Sequence, residues 1–199
     1  MSEKRANPCI LLSSSLPDPG VFESQVIGTG RILESLGSQV SYRVMAGLRD
    51  WARFRRRTRA QLDGLRGLYG IDLDVIYSPS PISGLGIRFS ARRLLNEIAG
   101  LDRRVVIWAR GQQAACVALE ARDRDSNAVV IFDARGDTGA EALLIAQTAA
   151  SNAARAAWIR RAKRLEELES TAARFSDHRF AVSEALAERL GSMAPIPPE

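Results

Sequence analysis

The chain has 199 residues, of which 46% are hydrophobic and 26% are charged, with a formal net charge of +5 and one histidine, His178. This is the composition of an ordinary globular domain with one core, and no apolar run approaches the ~20 residues that a membrane-spanning helix needs. We therefore expect a cytoplasmic domain without a signal peptide, metal site or cofactor, and with Cys9 and Cys116 buried and reduced.

The first segment has the pattern of a strand, a loop and a helix, which is typical of the start of a Rossmann-like unit. Cys9–Ser13 is the predicted strand, and two prolines and a glycine exclude regular structure from there to Gly20. The helix that follows ends at Gly37, and its expected apolar face consists of Phe22, Val26, Leu33 and Leu36. Neither a G-x-G-x-x-G nor a P-loop motif occurs, which disfavours a dehydrogenase or a P-loop ATPase.

A second strand is predicted at Val40–Met45, and an arginine-rich helix at about 49–69. Between Arg49 and Arg66 there are seven arginines and two aspartates, so the rest of the chain is close to neutral. The helix could be a solvated one packed by its apolar residues, or it could bind an anionic membrane surface or, least favoured, nucleic acid. Its candidate packing residues are Trp51, Phe54, Leu62 and Leu65. Its candidate membrane or anion contacts are Arg53, Arg55, Arg56, Arg57 and Arg59.

Two further strand–helix units follow. A strand at Val75–Tyr77 precedes a helix at Gly84–Ile98, whose candidate inner residues are Leu85, Phe89, Leu94 and Leu95. A strand at Arg104–Trp108 precedes a loop and a helix that runs to Ala121. Arg110 in that loop could hold an anionic or hydroxyl-rich ligand through its guanidinium group, or pair with a loop carboxylate.

The fifth strand, Val129–Phe132, is an unbroken apolar run of the kind found in buried parallel strands. A charged loop follows, with Gly136 and Gly139 between its ionisable residues, which are Asp133, Arg135, Asp137 and Glu141. Open α/β sheets bind ligands at the carboxyl ends of their strands, so this loop is a candidate site. The alternative is that Arg135 pairs with Asp133 or Asp137, while Glu141 only favours a helix N-terminus.

After Glu141 the pattern predicts one long helix to about Ala173, with Ala154, Trp158, Leu165, Leu168 and Ala172 on one side. The last strand is predicted at His178–Val182, followed by a short helix, capped by Ser183, that ends at Leu190. Six strands alternate with helices, which predicts an α/β fold with a Rossmann-like parallel sheet and helices on both faces. We expect one domain at 1–190 and a Pro-rich tail or linker at 191–199.

Four stretches of the chain match one known pattern in the same order. They are Ser14–Val26, Val106–Gly111 (Val-Ile-Trp-Ala-Arg-Gly), Phe132–Glu141 (Phe-Asp-Ala-Arg-Gly-Asp, then Glu141) and Ser176–Leu186. Together they resemble the N-terminal domain of family-4 glycosyltransferases, enzymes of GT-B architecture. The resemblance implies half of a GT-B enzyme: the acceptor-side domain of a retaining transferase that needs a C-terminal domain for activity.

The resemblance also implies partners and roles. The implied donor is a nucleotide sugar, and the implied acceptor is a sugar, a lipid-linked group or a polysaccharide. The chain itself could be peripheral at the inner face of the membrane. Catalytic roles fall to Asp133, Arg135 and Glu141. Donor-phosphate or acceptor binding falls to Gly20, Ser24, Gln25, Arg110, Gly111, Gln112 and Gly136. Trp108 and Asp133 stand where the family often has histidines. The alternative function is a non-catalytic Rossmann-like module that binds an anionic partner through Arg49–Arg66.

Overall fold

A computed structural model describes residues 6–14, 20–101, 103–124 and 127–193, with the backbone alone at 49–51 and 53–55. Six parallel strands form one sheet in the order β3-β2-β1-β4-β5-β6. The strands are β1 (Asn7–Ser13), β2 (Ser38–Gly47), β3 (Leu73–Ser78), β4 (Val105–Arg110), β5 (Ala128–Ala134) and β6 (His178–Ala181). This confirms the predicted Rossmann-like α/β fold.

The described residues form seven α-helices, which connect the strands or follow the last one. They are α1 (Gly28–Ser35), α2 (Leu48–Tyr69), α3 (Gly84–Ile98), α4 (Gln112–Arg122), α5 (Thr138–Gln147), α6 (Asn152–Phe175) and α7 (Glu184–Met193). Together, α5 and α6 connect β5 to β6. A π-helical segment, Glu23–Ile27, leads directly into α1. The helices lie on both faces of the sheet, as predicted. Connections between parallel strands are right-handed as a rule, so the helices before the reversal of strand order lie on one face and those after it lie on the other. The core therefore has two parts, one on each face.

The two faces are covered unequally by the described residues. One face carries α3, α4, α6 and α7, and its strand residues, such as Ile107 and Val130, are fully buried. The other face carries α1 and α2 over β1, β2 and β3. Beyond them, Ile131 is only partly buried and Phe180 on β6 is 49% exposed.

The prediction of one helix from 141 to 173 is wrong. The chain forms two antiparallel helices, α5 and α6, with a break at Thr148–Ser151. Ser151 caps α6 by accepting a hydrogen bond from the Ala154 amide at 3.2 Å. The break allows Ala142 of α5 to pack against Ala162 and Leu165 of α6. The sequence does not reveal the break, because the alanines around it have a high helix propensity.

Three predicted inner residues are exposed. Leu85 and Phe89 are 78% and 44% exposed, because α3 buries the opposite stripe through Ile87, Ala91 and Leu94. Leu36 is 77% exposed because it follows the last residue of α1. The side chains of Trp51 and Phe54 are not among those described. All other residues expected to face inward are at least partly buried.

Both cysteines are free and buried, as predicted. Burial raises the pKa of Cys9 to about 11 and that of Cys116 to about 12, so both are protonated thiols near neutral pH. In the described part of the chain, no helix is long and apolar enough to cross a membrane. The tail is predicted at 191–199, but its first three residues belong to α7, which ends at Met193, and residues 194–199 lie outside the described residues, as do residues 15–19.

Candidate functional site

The loops after β1, β4 and β5 meet at the carboxyl edge of the sheet. The strand order reverses between β1 and β4, where open α/β sheets leave a crevice for ligands. Ser13 on β1 is in register with Arg110 on β4, which is in register with Asp133 on β5. Since residues in register on parallel strands point to the same face, these three side chains form a row beside the crevice.

Asp133 is the charged centre of this row. It is only 4% exposed, and two arginines contact its Oδ2 atom. Arg135 donates from Nε at 2.9 Å and places Nη2 at 2.8 Å, while Nη1 of Arg110 lies at 3.7 Å. Arg135 is expected to pair with Asp133 or with Asp137, and in the structure it pairs with Asp133. Two cations share one carboxylate, so the cluster keeps an excess of positive charge, and Oδ1 remains an acceptor.

Arg110 also links β4 to the segment after β1. Its guanidinium group donates to the side-chain oxygen of Gln25 and, at 3.5 Å, to the Gln25 carbonyl oxygen. Burial and the neighbouring Arg135 lower the pKa of Arg110 below its ordinary value, although Asp133 opposes them. Both open interpretations of Arg110 are therefore compatible with its surroundings: it pairs with a loop carboxylate and it faces the crevice.

Two glycines shape the loops of the site. Gly111 has a φ of +86°, its amide donates to the Asp133 carbonyl oxygen at 3.0 Å, and an added Cβ would lie 2.6 Å from Ser14 Oγ. Gly20 has a φ of +84°, and its carbonyl oxygen accepts hydrogen bonds from the amide and the hydroxyl of Ser24. The positive φ values favour glycine at both positions. The Ser24 hydroxyl is thus committed to the start of the helix.

Three predicted site residues do not join the cluster around Asp133. The Gln112 side chain is buried and donates to the Thr138 hydroxyl, which ties α4 to α5. Glu141 is exposed in the first turn of α5 and forms no ion pair with a described residue. Gly136 lies beside it, since an added Cβ would be 3.3 Å from Glu141 Oε1. The structure therefore places Glu141 on α5 and Gly136 in the loop before it, with no hydrogen bond or ion pair from Glu141 to a described residue of the cluster.

A second ionic cluster, absent from the predicted site, supports the same loop. Asp137 caps α5 by accepting from the Ala140 amide at 2.8 Å, and it also binds Arg189 of α7. Arg189 in turn donates at 2.8 Å to Glu169 of α6, which is 2% exposed. The Asp-Thr-Gly-Ala sequence is a helix N-cap signal that could have indicated Asp137. No local pattern indicates Arg189 or Glu169, because their partners are distant in sequence.

Trp108 precedes Arg110 by two residues on β4, so their side chains lie on the same face of the sheet. Its ring stacks on Phe180 with a centroid distance of 5.0 Å and an interplanar angle of 21°. Its indole Nε1 is buried and has no hydrogen-bond partner among the described residues. Phe180 is in register with Asp133, so this aromatic pair borders the cluster on the uncovered side of the sheet.

The arginine-rich stretch lies on α2. Arg56, Arg57 and Arg59 are exposed and form no ion pair with a described residue. The side chains of Arg53 and Arg55 are not among those that the structure describes. At the other end of the stretch, Arg66 is structural: it pairs with Asp63 at 2.8 Å and donates to the Leu73 carbonyl oxygen at 2.6 Å. Leu62 and Leu65 pack into the core, as predicted.

Within the described ranges, no group of three or more His, Cys, Asp or Glu residues is placed to hold a metal ion. The chemistry of the site is therefore that of guanidinium donors, one fixed carboxylate and backbone amides, which suits an anionic or hydroxyl-rich ligand. A comparison of the sequence with models of known protein families found no match, and a comparison with curated proteins found none either.

Proposed function

We propose that this chain is the acceptor-side, N-terminal domain of a retaining glycosyltransferase of GT-B architecture that uses a nucleotide-sugar donor. The observation that carries the proposal is the meeting of Gln25, Arg110, Asp133 and Arg135 beside the crevice at the strand reversal. A module that only binds a partner through α2 has no need for this convergence. The four sequence stretches that resemble the family agree with the proposal.

The donor side of the proposed site is formed by the segment after β1 and by Arg110. Gly20 opens a helix start whose first amides favour an anion, and Gln25 holds the Arg110 guanidinium group next to it. Cationic and amide groups in this position would stabilise the negative charge that develops on the leaving diphosphate. In this proposal most contacts to the diphosphate come from the second domain, and these residues complete them.

The acceptor side is formed by Asp133 and Arg135. Both arginines contact Oδ2 of Asp133, so Oδ1 can accept a hydrogen bond from an acceptor hydroxyl and hold it in place. Positioning of this kind lowers the barrier by removing the entropy cost of bringing the reactants together. The proposed acceptor is a sugar, a lipid-linked group or a polysaccharide. Glu141 stands apart on α5 and takes no part in this step.

Titration of the ¹⁵N-labelled chain with UDP-glucose and GDP-mannose, followed by NMR, tests the proposal. We expect shift changes confined to the amides around Gly20, Ser24 and Gly111, and their loss in Arg110→Gln. Arg124→Gln is the matched control, since Arg124 pairs with Glu120 at 2.7 Å on the surface of α4. No change near Gly20 and Gly111 at concentrations on the order of millimolar, or an equal effect of both variants, would overturn the proposal.

The second candidate is a non-catalytic module that binds an anionic partner through α2. The observation that favours it is the group of exposed arginines that form no ion pair with any described residue, Arg56, Arg57 and Arg59. An anionic membrane surface is the preferred partner and nucleic acid is the less favoured one, with the chain peripheral at the inner face of the membrane. This binding would be mainly electrostatic, so salt should release it fully.

A further inference from the structure

Helix α5 is apolar over most of its surface, but the described residues cover only one of its sides. Its sequence, Thr-Gly-Ala-Glu-Ala-Leu-Leu-Ile-Ala-Gln, contains one charged residue, Glu141. Gly139, Ala142 and Ala146 are buried, whereas Leu143, Leu144 and Ile145 are 48%, 63% and 43% exposed. A helix with apolar residues all round is normally buried or lies in a membrane, so the exposed side of α5 needs a partner.

The α5–α6 hairpin, defined as Thr138–Gln147 with Asn152–Lys163, stands beyond the carboxyl edge of the sheet. Helix α6 has 24 residues, about 36 Å, whereas β5 has seven residues, about 23 Å. Ala162 and Leu165 of α6 pack with Ala142 of α5 in a small separate cluster, whereas Leu168, Ala172 and Ala173 pack into the larger core of the domain. Arg164 donates at 3.0 Å to the carbonyl oxygen of Ile82, in the loop after β3, so the residues before Arg164 extend past the loops.

The outward side of α6 in the hairpin is basic and also has an exposed apolar residue. Arg155, Ile159 and Lys163 follow one another at spacings of four, which places them on one face. Ile159 is 46% exposed. Arg155, Arg160 and Lys163 are exposed and form no ion pair with a described residue. Arg161 lies over the ring of Trp158, with its Cζ atom 5.6 Å from the ring centroid.

We propose that the α5–α6 hairpin is a membrane-docking surface that rests on an anionic bilayer. Leu143, Leu144, Ile145 and Ile159 enter the boundary between headgroups and acyl chains, while Arg155, Arg160 and Lys163 pair with lipid phosphates. Exposed aliphatic side chains with unpaired Lys and Arg within one helical turn are the pattern of helices that lie at a bilayer surface. A protein interface core, in contrast, is depleted of charged residues.

This surface is separate from the arginine-rich stretch of α2, where Arg56, Arg57 and Arg59 are exposed. In α2, Leu62 and Leu65 are buried in the core, while Leu68 is 72% exposed. Docking through the hairpin does not depend on transferase activity. If the proposed function also holds, the carboxyl edge, with Arg110 and Asp133, faces the lipid surface, and an acceptor presented by the membrane can reach it directly. That last consequence alone rests on the proposed function.

Co-sedimentation with vesicles of pure phosphatidylcholine, and of phosphatidylcholine and phosphatidylglycerol in equal amounts, tests the docking surface. We expect the wild-type chain to bind only the anionic vesicles and to be partly retained at high salt. The triple variant Leu143→Ser/Leu144→Ser/Ile145→Ser and the double variant Arg155→Glu/Lys163→Glu should each bind at least about tenfold more weakly. All five side chains are exposed, so the variants should keep the wild-type circular dichroism and thermal midpoint.

Two matched controls define the surface. Arg56→Glu/Arg57→Glu on α2 lowers the net charge by the same amount as Arg155→Glu/Lys163→Glu, and Leu85→Ser/Phe89→Ser removes exposed apolar residues from α3; both should bind within about twofold of wild type. In addition, Leu144→Trp should show a blue-shifted tryptophan emission only with the anionic vesicles. This readout reports insertion and is independent of nucleotide-sugar binding at Arg110.

Four outcomes would overturn the proposal. They are wild-type binding to neither vesicle, undiminished binding of the triple serine variant, loss of binding only in the α2 variant, and self-association of the wild type that the serine variant abolishes in sedimentation equilibrium. The third outcome supports the second candidate function, and the fourth assigns the hairpin to a second copy of the chain.

Discussion

At the scale of single residues, the candidate site depends on how one buried carboxylate is neutralised. Asp133 is nearly inaccessible, and a buried carboxylate is tolerated only when charged or polar groups compensate the loss of water. Arg135 and Arg110 provide that compensation from the loop and from the neighbouring strand. The same contacts hold both guanidinium groups beside the crevice, so the proposed function couples stability to ligand binding at this position.

Replacing Asp133 by Asn should lower the free energy of unfolding by about 1–3 kcal/mol, because two arginines then lose their shared counter-charge. Urea denaturation measures the change. Asp123→Asn is the control: Asp123 also pairs with an arginine, at 3.6 Å, but its side chain is 70% exposed, so its loss should change stability little. Equal stability of wild type and Asp133→Asn would show that the cluster around Asp133 contributes nothing to folding.

Replacing Gly111 by Ala should destabilise the chain by about 1–3 kcal/mol, because it adds a Cβ at a φ of +86° and places that atom 2.6 Å from Ser14 Oγ. The control is Gly64→Ala in α2, where an added Cβ meets nothing within 4 Å and alanine favours the helix by roughly 0.5–1 kcal/mol. Thermal unfolding of both variants should give shifts of opposite sign; a shift to lower temperature in both would contradict this account.

The buried Glu169 should make stability depend on pH. Burial and the nearby Glu166 raise its pKa from 4.5 to about 7. The folded chain then holds the proton more tightly than the unfolded chain, so the free energy of unfolding falls as the pH rises from about 4.5 to about 7.

Glu169→Gln should remove this part of the pH dependence, which amounts to at most about 3 kcal/mol. Urea unfolding of both proteins at several pH values across that interval measures it. Glu188→Gln, at an exposed position of α7, should leave the dependence unchanged. The interpretation fails if Glu169→Gln follows the same pH curve as the wild type.

At the scale of elements, the α5–α6 hairpin depends on a stop and a restart inside an alanine-rich stretch. Apolar contacts of Ala142 with Ala162 and Leu165 require the chain to reverse, and the Ser151 cap supplies a partner for one of the free amides at the start of α6. The reversal also determines which apolar residues of α5 remain exposed beyond the carboxyl edge of the sheet.

Ser151→Ala should therefore cost about 1 kcal/mol, because the Ala154 amide loses its side-chain acceptor. Chemical denaturation of the variant measures this loss. Asn152→Ala is the neighbouring control: Asn152 is exposed and does not cap α6, so this variant should be at least as stable as the wild type. A stability unchanged by Ser151→Ala would mean that packing of α5 on α6 alone fixes the start of α6.

At the scale of the whole molecule, the sheet has one face covered along its full width and one face open over β5 and β6 among the described residues. Parallel sheets are normally covered on both faces, so the exposed Phe180 and the partly buried Ile131 mark a surface that could accept further structure. The crevice beside Arg110 is likewise bordered by groups of this domain alone, and the proposed transferase needs a second domain to close it.

The purified 199-residue chain should therefore transfer no sugar at a useful rate, because the proposed diphosphate clamp lies mainly in the second domain. Incubation with radiolabelled UDP-glucose or GDP-mannose and a set of sugar acceptors, followed by chromatography, measures transfer. Arg110→Gln is the control for background hydrolysis. Turnover by the wild type above that of Arg110→Gln would show that one domain suffices.

The sequence by itself determined the elements and their class. Short β-branched runs such as Val129–Phe132 alternate with helical patterns, and alternation of this kind leads to a parallel sheet because each connection must cross over. It also placed Arg110, Asp133 and Arg135 at strand ends. These properties are local, since they depend on periodicity and on the residue types that follow each strand.

Only the tertiary structure decided which of these residues meet. The strand order and register set Arg110 beside Asp133 but leave Glu141 on α5, and they bring Arg189 to Asp137 and Glu169. The stop at Thr148–Ser151 and the exposure of Leu85 and Phe89 were also invisible locally, because propensity does not report which side of a helix the rest of the chain covers. Contacts between residues distant in sequence depend on packing, and packing is a property of the whole fold.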